Sequence, residues 1–162
     1  MDRGSIILFL SAVVGMTGPV VAETTQATMA VSLTVEAGCA IDAAPLAFGT
    51  IGGESVAETG AGAARASLRL RCTPGTPYAV ALDGGRTGER RMTDASGTAF
   101  APYEIFQDAG ARRRWGAAPD TGISGIAPSS GAITLTAHGR LLTPASLPNA
   151  RFSDVVTVTV AF

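Results

Sequence analysis

Lysine is absent from this sequence of 162 residues, and histidine occurs only once, at His138. Nucleophilic catalysis needs a nucleophile beside a base, and with one histidine we find no arrangement of residues that supplies such a pair. The glycines form no phosphate-binding motif, and the two cysteines match neither a CxxC pair nor a zinc cluster. We therefore expect no catalytic residues, no metal or other cofactor, and no enzymatic activity. His138 is expected to be an exposed surface residue.

Charge is also scarce, at 15% of the residues, with a formal net charge of −1. The twelve basic residues are all arginines, scattered except for Arg112–Arg114 beside Trp115. They predict no broad basic face and hence no nucleic-acid partner. Arg112–Arg114 suit a solvated turn beside a core tryptophan, with contact to an anionic surface or sugar as the alternative. Asp83, Glu89 and Asp94 lack the spacing of a calcium loop, which leaves only weak cation binding open.

One long apolar run occupies residues 6–16. A positive charge at Arg3 precedes it, residues 17–19 break it, and compact residues at 20–22 suit cleavage before Glu23. This is the layout of a secretory signal peptide. A run of this length is too short to cross a bilayer core of ~30 Å at ~1.5 Å per residue, which disfavours a transmembrane anchor. The sequence thus predicts a signal peptide at 1–22 and an exported chain with no later membrane insertion.

In an exported chain the two cysteines have one possible pairing, Cys39 with Cys72. Closing a loop between residues 33 positions apart restricts the unfolded chain by roughly 3–4 kcal/mol. A metal or redox pair is the alternative that a cytosolic location would leave open. We predict the disulfide.

Apolar residues alternate with polar or small ones in several short segments, which is typical of half-buried strands. Twenty glycines and nine prolines separate these segments and leave no amphipathic helix of useful length. The pattern predicts an all-β sandwich of about seven strands. The predicted strands are 29–35, 45–50, 66–72, 77–83, 103–107, 132–138 and 154–162.

The chain opens and closes on regular alternating segments. The first immediately precedes Cys39, and the last runs to Phe162. An exposed apolar strand edge promotes aggregation unless another strand pairs with it. Both segments therefore suit pairing with a partner strand.

An ordered set of short motifs runs through almost the whole exported chain. It consists of Gly38–Cys39, PLAFGT at 45–50, LRCT at 70–73, GTPYAVALD at 75–83, RRM at 90–92, YEIFQD at 103–108, Trp115–Gly116, HGR at 138–140 and FSDVVTVTVAF at 152–162. The set resembles the spore coat protein U domain family, which includes subunits of archaic (Csu-type) chaperone–usher pili. Many members have Tyr where this chain has His138, and the loop 141–149 carries two prolines in an unusual context. Both departures concern surface contacts.

The resemblance implies an incomplete immunoglobulin-like β-sandwich at residues 36–162 that is completed by donor-strand complementation. It implies a donor-strand extension at residues 23–35, although an ordinary first strand within its own sandwich is the alternative. The implied donor side chains are Met29, Val31, Leu33 and Val35, and the implied acceptor groove and chaperone-docking edge comprise Val156, Val158, Val160 and Phe162. The implied partners are neighbouring pilus subunits, a periplasmic chaperone and an outer-membrane usher.

The function so predicted is that of a structural subunit of a surface pilus that supports adhesion and biofilm formation. The chain would pass through the periplasm and end at the cell surface. The alternative is a tip adhesin or carbohydrate-binding β-sandwich. Such adhesins generally carry an additional binding domain, for which the chain left after signal cleavage is expected to have no room. A secreted hydrolase is a third class, which the residue inventory disfavours.

Overall fold

The computed structural model describes residues 24–51, 62–142 and 147–162. The predicted signal peptide lies outside these residues. The chain divides into two units, Met1–Thr34 and Val35–Phe162. In the first unit, residues 24–34 form neither helix nor strand.

The described part of the second unit consists of antiparallel strands and one short 3-10 turn at Pro119–Thr121. The strands are β1 (Cys39–Ala43), β2 (Ala63–Cys72), β3 (Pro77–Leu82), β4 (Arg91–Thr93), β5 (Phe100–Phe106), β6 (Ile123–Ile126), β7 (Ala132–Leu141) and β8 (Val158–Ala161). The predicted all-β class is confirmed. No helix in the described part of the chain has the length and hydrophobicity that a bilayer crossing requires.

The strands form a five-stranded sheet in the order β1-β2-β7-β5-β4 and a three-stranded sheet in the order β6-β3-β8. The long β2–β7 pair runs from Ala63 opposite Arg140 to Arg71 opposite Ala132. These two strands lie in the interior of the larger sheet, each paired on both sides. In the smaller sheet, β3 is central and pairs with β6 on one side and β8 on the other.

The core lies between the sheets and follows from the alternation in each strand. Leu68 and Leu70 of β2 are buried, as are Val80 and Leu82 of β3. Trp115 is fully buried, and its indole Nε1 donates a hydrogen bond of 2.8 Å to the carbonyl oxygen of Val80. A buried Trp needs such a partner for its N–H, so this bond fixes the ring in the core.

The predicted disulfide is present between Cys39 and Cys72. The two residues lie directly opposite each other in the β1–β2 pair, within one sheet. Cys72 is buried on the inward face of β2, as the sequence predicts. The bridge therefore secures β1, an edge strand, to its only partner among the described residues.

Four predicted strands are observed with small shifts of their bounds, namely β2, β3, β5 and β7. The prediction for 45–50 was wrong. The backbone N–H of Ala44 donates the last hydrogen bond from this segment to β2, at the carbonyl oxygen of Ser67. The chain then turns away from β2, because Pro45 has no N–H with which to continue the pairing. Leu46 and Phe48 nevertheless pack against the core.

The C-terminal strand is shorter than predicted, because only Val158–Ala161 joins the ladder with β3. Three strands, β1, β4 and β6, were not predicted. In β6, Gly125 interrupts the apolar alternation. A Cβ atom there would lie 2.8 Å from the hydroxyl oxygen of Tyr78, so the glycine makes room for that ring.

The bridge gives a stability prediction. Replacing both cysteines (C39A/C72A) should lower the free energy of unfolding by about 3–4 kcal/mol, because the unfolded chain is no longer cross-linked. Urea denaturation with and without reductant measures this. Reductant should lower the urea midpoint of the wild type and leave the variant unchanged. Equal sensitivity of the two proteins would contradict the prediction.

Candidate functional site: an open cleft between the sheets

A cleft with a volume of about 1300 Å³ opens into the core of the second unit. We call it the inter-sheet cleft. Its first wall is the inner face of the five-stranded sheet, with Leu68, Tyr103 and Ala137 among its residues. Its second wall contains Val156 and Val158, at and just before the start of β8. Because both walls are largely apolar, the cleft is suited to apolar side chains.

The chain on either side of the sheets forms the rims of the inter-sheet cleft. One rim is the segment 43–51, which begins at the last residue of β1, and the other is the segment 147–155 that precedes β8. On the first rim, the rings of Phe48 and Tyr103 meet edge to face with their centroids 5.9 Å apart. This aromatic contact holds the irregular segment against the sheet.

The C-terminal segment is anchored by Asp154 at its start. The Tyr103 hydroxyl donates a hydrogen bond of 2.8 Å to Asp154 Oδ2, and the backbone N–H of Arg86 donates one of 2.9 Å to Oδ1. Gly85 adopts a φ of +74°, and a Cβ there would meet Asp154 Oδ2 at 2.1 Å, so only glycine permits this approach. Burial, helped by the bond to Asp154, raises the pKa of the Tyr103 phenol and keeps it a donor.

A second carboxylate, Asp83 at the end of β3, holds the segment closer to β8. Its Oδ1 accepts bonds from the backbone N–H groups of Thr157 at 2.8 Å and Gly85 at 2.9 Å. Burial opposes ionisation of Asp83, but the bonds from Thr157 and Gly85 and the charge of Arg90 hold its pKa below the usual value. The second wall of the cleft is thus fixed by bonds to charged oxygens.

Strand β8 has one unpaired edge among the described residues, since it pairs only with β3. From Arg151 to Val160 the side chains alternate between exposed and half-buried positions, as the sequence predicts. Of the predicted groove residues, Val156 and Val158 line the cleft, and Val160 packs against the core. Phe162 lies outside the cleft lining and is 60% exposed. Their roles in binding a strand remain predictions.

The predicted donor side chains are among the most exposed apolar groups in the described residues. The exposed fraction is 86% for Met29, 88% for Val31, 86% for Leu33 and 70% for Val35. Isolated exposed hydrophobic residues are common, but four at every second position form a continuous apolar stripe in an extended chain. Segment 29–35 therefore has the alternation of a strand but forms none among the described residues.

A buried ionic cluster, which the sequence reading did not identify, joins the two sheets. Arg90 donates to Glu104 Oε1 on β5, and its Nη2 donates to the carbonyl oxygen of Leu82 on β3 at 2.8 Å. Arg114 pairs with Glu104 Oε2 at 2.7 Å. Two of the quoted motifs, RRM at 90–92 and YEIFQD at 103–108, contain Arg90 and Glu104, but only the fold shows that they meet.

The other candidate residues have local roles. His138 lies on the outward face as predicted but is half-buried, because Arg65 and Phe106 lie opposite it on the flanking strands. Arg112–Arg114 are exposed beside the buried Trp115, as predicted. Asp94 holds its own turn by accepting from Thr98 and Ala99. Within the described ranges, no group of three or more potential metal ligands occurs.

The fold and the cleft define a class of protein, namely an all-β sandwich whose core is open between its two sheets. The family model for the Spore Coat Protein U domain matches residues 25–159. The chain therefore belongs to the Spore Coat Protein U domain family, as the resemblance of its motifs predicts. A comparison with curated proteins found no match.

Among solved structures, the chain is similar to a chain of the CsuC–CsuE chaperone–tip adhesion subunit pre-assembly complex, from the archaic chaperone–usher Csu pili of Acinetobacter baumannii. The identity is 25% and the TM-score is 0.60. The match covers 80% of this chain but 41% of that chain, so this chain spans about two-fifths of its length.

The ionic cluster predicts a large and specific loss of stability. Glu104→Gln should lower the free energy of unfolding by about 3–5 kcal/mol, because Arg90 stays buried without its counter-charge. The control is Glu89→Gln, which breaks the exposed pair with Arg91 and should cost less than about 1 kcal/mol. Urea denaturation compares the variants. Similar losses for both would show that the cluster is not specially stabilising.

Asp83 predicts a dependence on pH. The pKa of Asp83 is lower in the folded state than its unfolded value of about 4, so the ionised carboxylate stabilises the fold at any pH above that value. This stabilisation is lost as the pH falls through the folded-state pKa. Asp83→Asn should therefore be less stable than the wild type at pH 7, and the difference should shrink below about pH 4. Denaturation from pH 7 to pH 2 measures it, with Asp120→Asn as the single-charge control. A pH-independent difference would refute the assignment.

Proposed function

We propose that this chain is a structural subunit of a secreted surface pilus, assembled by a chaperone–usher pathway through donor-strand exchange. The observation that carries the proposal is the inter-sheet cleft beside the unpaired edge of β8. Membership of the Spore Coat Protein U domain family and similarity to a chain of a Csu pilus pre-assembly complex support it.

The unpaired edge of β8 offers backbone N–H and C=O groups to an added strand. An extended peptide that pairs with such an edge gains main-chain hydrogen bonds and places every second side chain on the same face. The second wall of the cleft lies on this strand and the residues just before it, at Val156 and Val158. A single added strand would therefore pair with the free edge of β8 and, at the same time, fill the inter-sheet cleft with its apolar side chains.

Residues 23–35 have the pattern that this role requires, and we assign them as the donor extension. The segment from 25 to 35 spans roughly 35 Å when extended, comparable to the roughly 30 Å of the segment from 154 to 162. Burying three or four of the side chains Met29, Val31, Leu33 and Val35 is worth about 1.5–3 kcal/mol each. A subunit whose cleft is filled by a neighbour's segment should thus be much more stable than an empty one.

The same open edge needs protection before assembly. An unpaired apolar edge aggregates, so we propose that a periplasmic chaperone occupies the β8 edge, including Val160 and Phe162, until an outer-membrane usher brings the next subunit. We propose that the signal peptide predicted at 1–22 directs export and is then removed. The fibre is proposed to support adhesion and biofilm formation, which a surface-attachment assay of a deletion strain would test.

The donor stripe can be tested within the full chain. The variant M29S/V31S/L33S should abolish fibres and the heat- and detergent-resistant oligomers, because it removes the side chains that fill the cleft. The matched control S32A/T34A changes the opposite side of the same segment and should assemble normally. Electron microscopy and gel electrophoresis of unboiled samples give the readouts. Normal polymers from the M29S/V31S/L33S variant would contradict the proposal.

The role of the cleft as acceptor can be tested with two matched substitutions on β7. Ala137 lines the cleft, whereas its neighbour Thr136 is exposed on the outer face of β7. Ala137→Leu should hinder fibre formation while oxidised subunit still accumulates in the periplasm, and Thr136→Leu should not. Loss of assembly in both variants would show that filling the cleft is not the cause of the assembly defect.

A further inference from the structure

The outer face of the five-stranded sheet is rich in arginine. In β2 the inward residues are small or apolar and all are buried, whereas Arg65, Arg69 and Arg71 are exposed on the opposite face. Successive side chains in a strand point to opposite faces, so these three arginines share one side of the sheet.

Strand β7 extends this basic face. In the register of β2 with β7, Arg65 lies opposite His138, and Ala63 lies opposite Arg140. Arg140 is exposed. The structure therefore corrects the expectation that the arginines form no broad basic face, because antiparallel pairing brings residues from distant parts of the sequence together. We call Arg65, Arg69, Arg71 and Arg140 the arginine face.

Little negative charge offsets the arginine face. Asp42 lies opposite Arg69 on β1, and Glu104 lies opposite Arg140 on β5. The carboxylate of Glu104 is already paired with Arg90 and Arg114. Within the described residues, none of the four arginines has a carboxylate within salt-bridge distance. The guanidinium group of Arg140 donates a hydrogen bond of 3.1 Å to the carbonyl oxygen of Ala109, whereas those of Arg65, Arg69 and Arg71 are available to an external anion.

The geometry favours a linear ligand. Arg65 and Arg71 lie about 20 Å apart along β2, at ~3.3 Å per residue, with Arg69 between them. Guanidinium groups bind carboxylates and related oxyanions through paired hydrogen bonds. Hydroxyl groups lie among the arginines, at Ser67 on β2 and at Thr134 and Thr136 on β7. A chain carrying both anionic and hydroxyl groups would match this surface.

Other polyanions fit less well. Strands β2 and β7 contain no Phe, Tyr or Trp on which nucleic-acid bases would stack, and Phe106, opposite His138 on β5, is half-buried. None of the outward residues of these two strands is among the exposed large hydrophobic residues, so nothing there would insert into a membrane.

We propose that the arginine face binds a linear anionic polysaccharide. Its carboxylate or sulfate groups pair with Arg65, Arg69 and Arg71, and its hydroxyl groups bond with the Ser and Thr side chains between them. This site is on the sheet surface opposite to the inter-sheet cleft, and it does not depend on fibre assembly.

The test uses the full chain purified after export from a bacterial host. Binding is measured to heparin as a sulfated probe, to polygalacturonate as a carboxylated probe and to neutral dextran. The variant R65Q/R69Q/R71Q should bind the anionic probes at least tenfold more weakly than the wild type. The control R86Q/R112Q/R113Q removes the same charge from exposed loops and should change binding less than threefold. Circular dichroism verifies that both variants fold.

The salt dependence provides a second readout. Wild-type affinity should fall steeply as salt rises, because oppositely charged surfaces are screened, and the R65Q/R69Q/R71Q variant should show a shallower slope. Equal losses in the two variants, or no binding to either anionic polysaccharide, would overturn the proposal. So would binding to duplex DNA or to phosphatidylglycerol vesicles that exceeds binding to the polysaccharides.

Discussion

Burial of apolar surface between the two sheets is the interaction on which the structure depends, and here that burial is incomplete. Leu68 and Ile105 on one wall and Val156 and Val158 on the other line a space that no side chain in the described part of the second unit fills. Apolar surface exposed in this way costs about 25 cal/mol per Å² relative to burial. A ligand that buried this surface would therefore stabilise the domain.

The remaining contacts hold the walls of the cleft in place. Arg90 joins β5 to β3, and the carboxylates of Asp83 and Asp154 fix the chain leading into β8. These bonds lie at the edges of the apolar surface. A binding site whose walls are already ordered loses less entropy when its ligand arrives. The polar network thus holds the walls of the cleft in place without a bound strand.

The sequence predicts those features that depend on local pattern. Alternation in 66–72 and 132–138 identifies β2 and β7, and an even cysteine count identifies the bridge. Local pattern does not predict features that depend on contacts between residues distant in the sequence. Residues 45–50 alternate like a strand, but the chain has already left β2, so Leu46 and Phe48 serve as a rim instead.

The cleft and the charge distribution show the same limit. Val156 and Val158 are predicted as groove residues from the family resemblance, whereas the opposite wall depends on how β2, β5 and β7 are ordered in the sheet. Arg90 with Glu104, and Arg65 with Arg140, are each brought together by strand register. Strand pairing between distant segments cannot be read from composition or local spacing.

The position of the disulfide has a mechanical consequence. Cys39 is the first residue of β1 and follows Val35 by only four positions. Tension applied to the N-terminal segment reaches β1 at this residue, where hydrogen bonds alone would break one after another from the end of the strand. The bond to Cys72 passes the tension covalently to β2, a longer strand that is paired on both sides within the sheet. Peeling of the edge strand is thereby prevented at the point where a pull along the chain would start it.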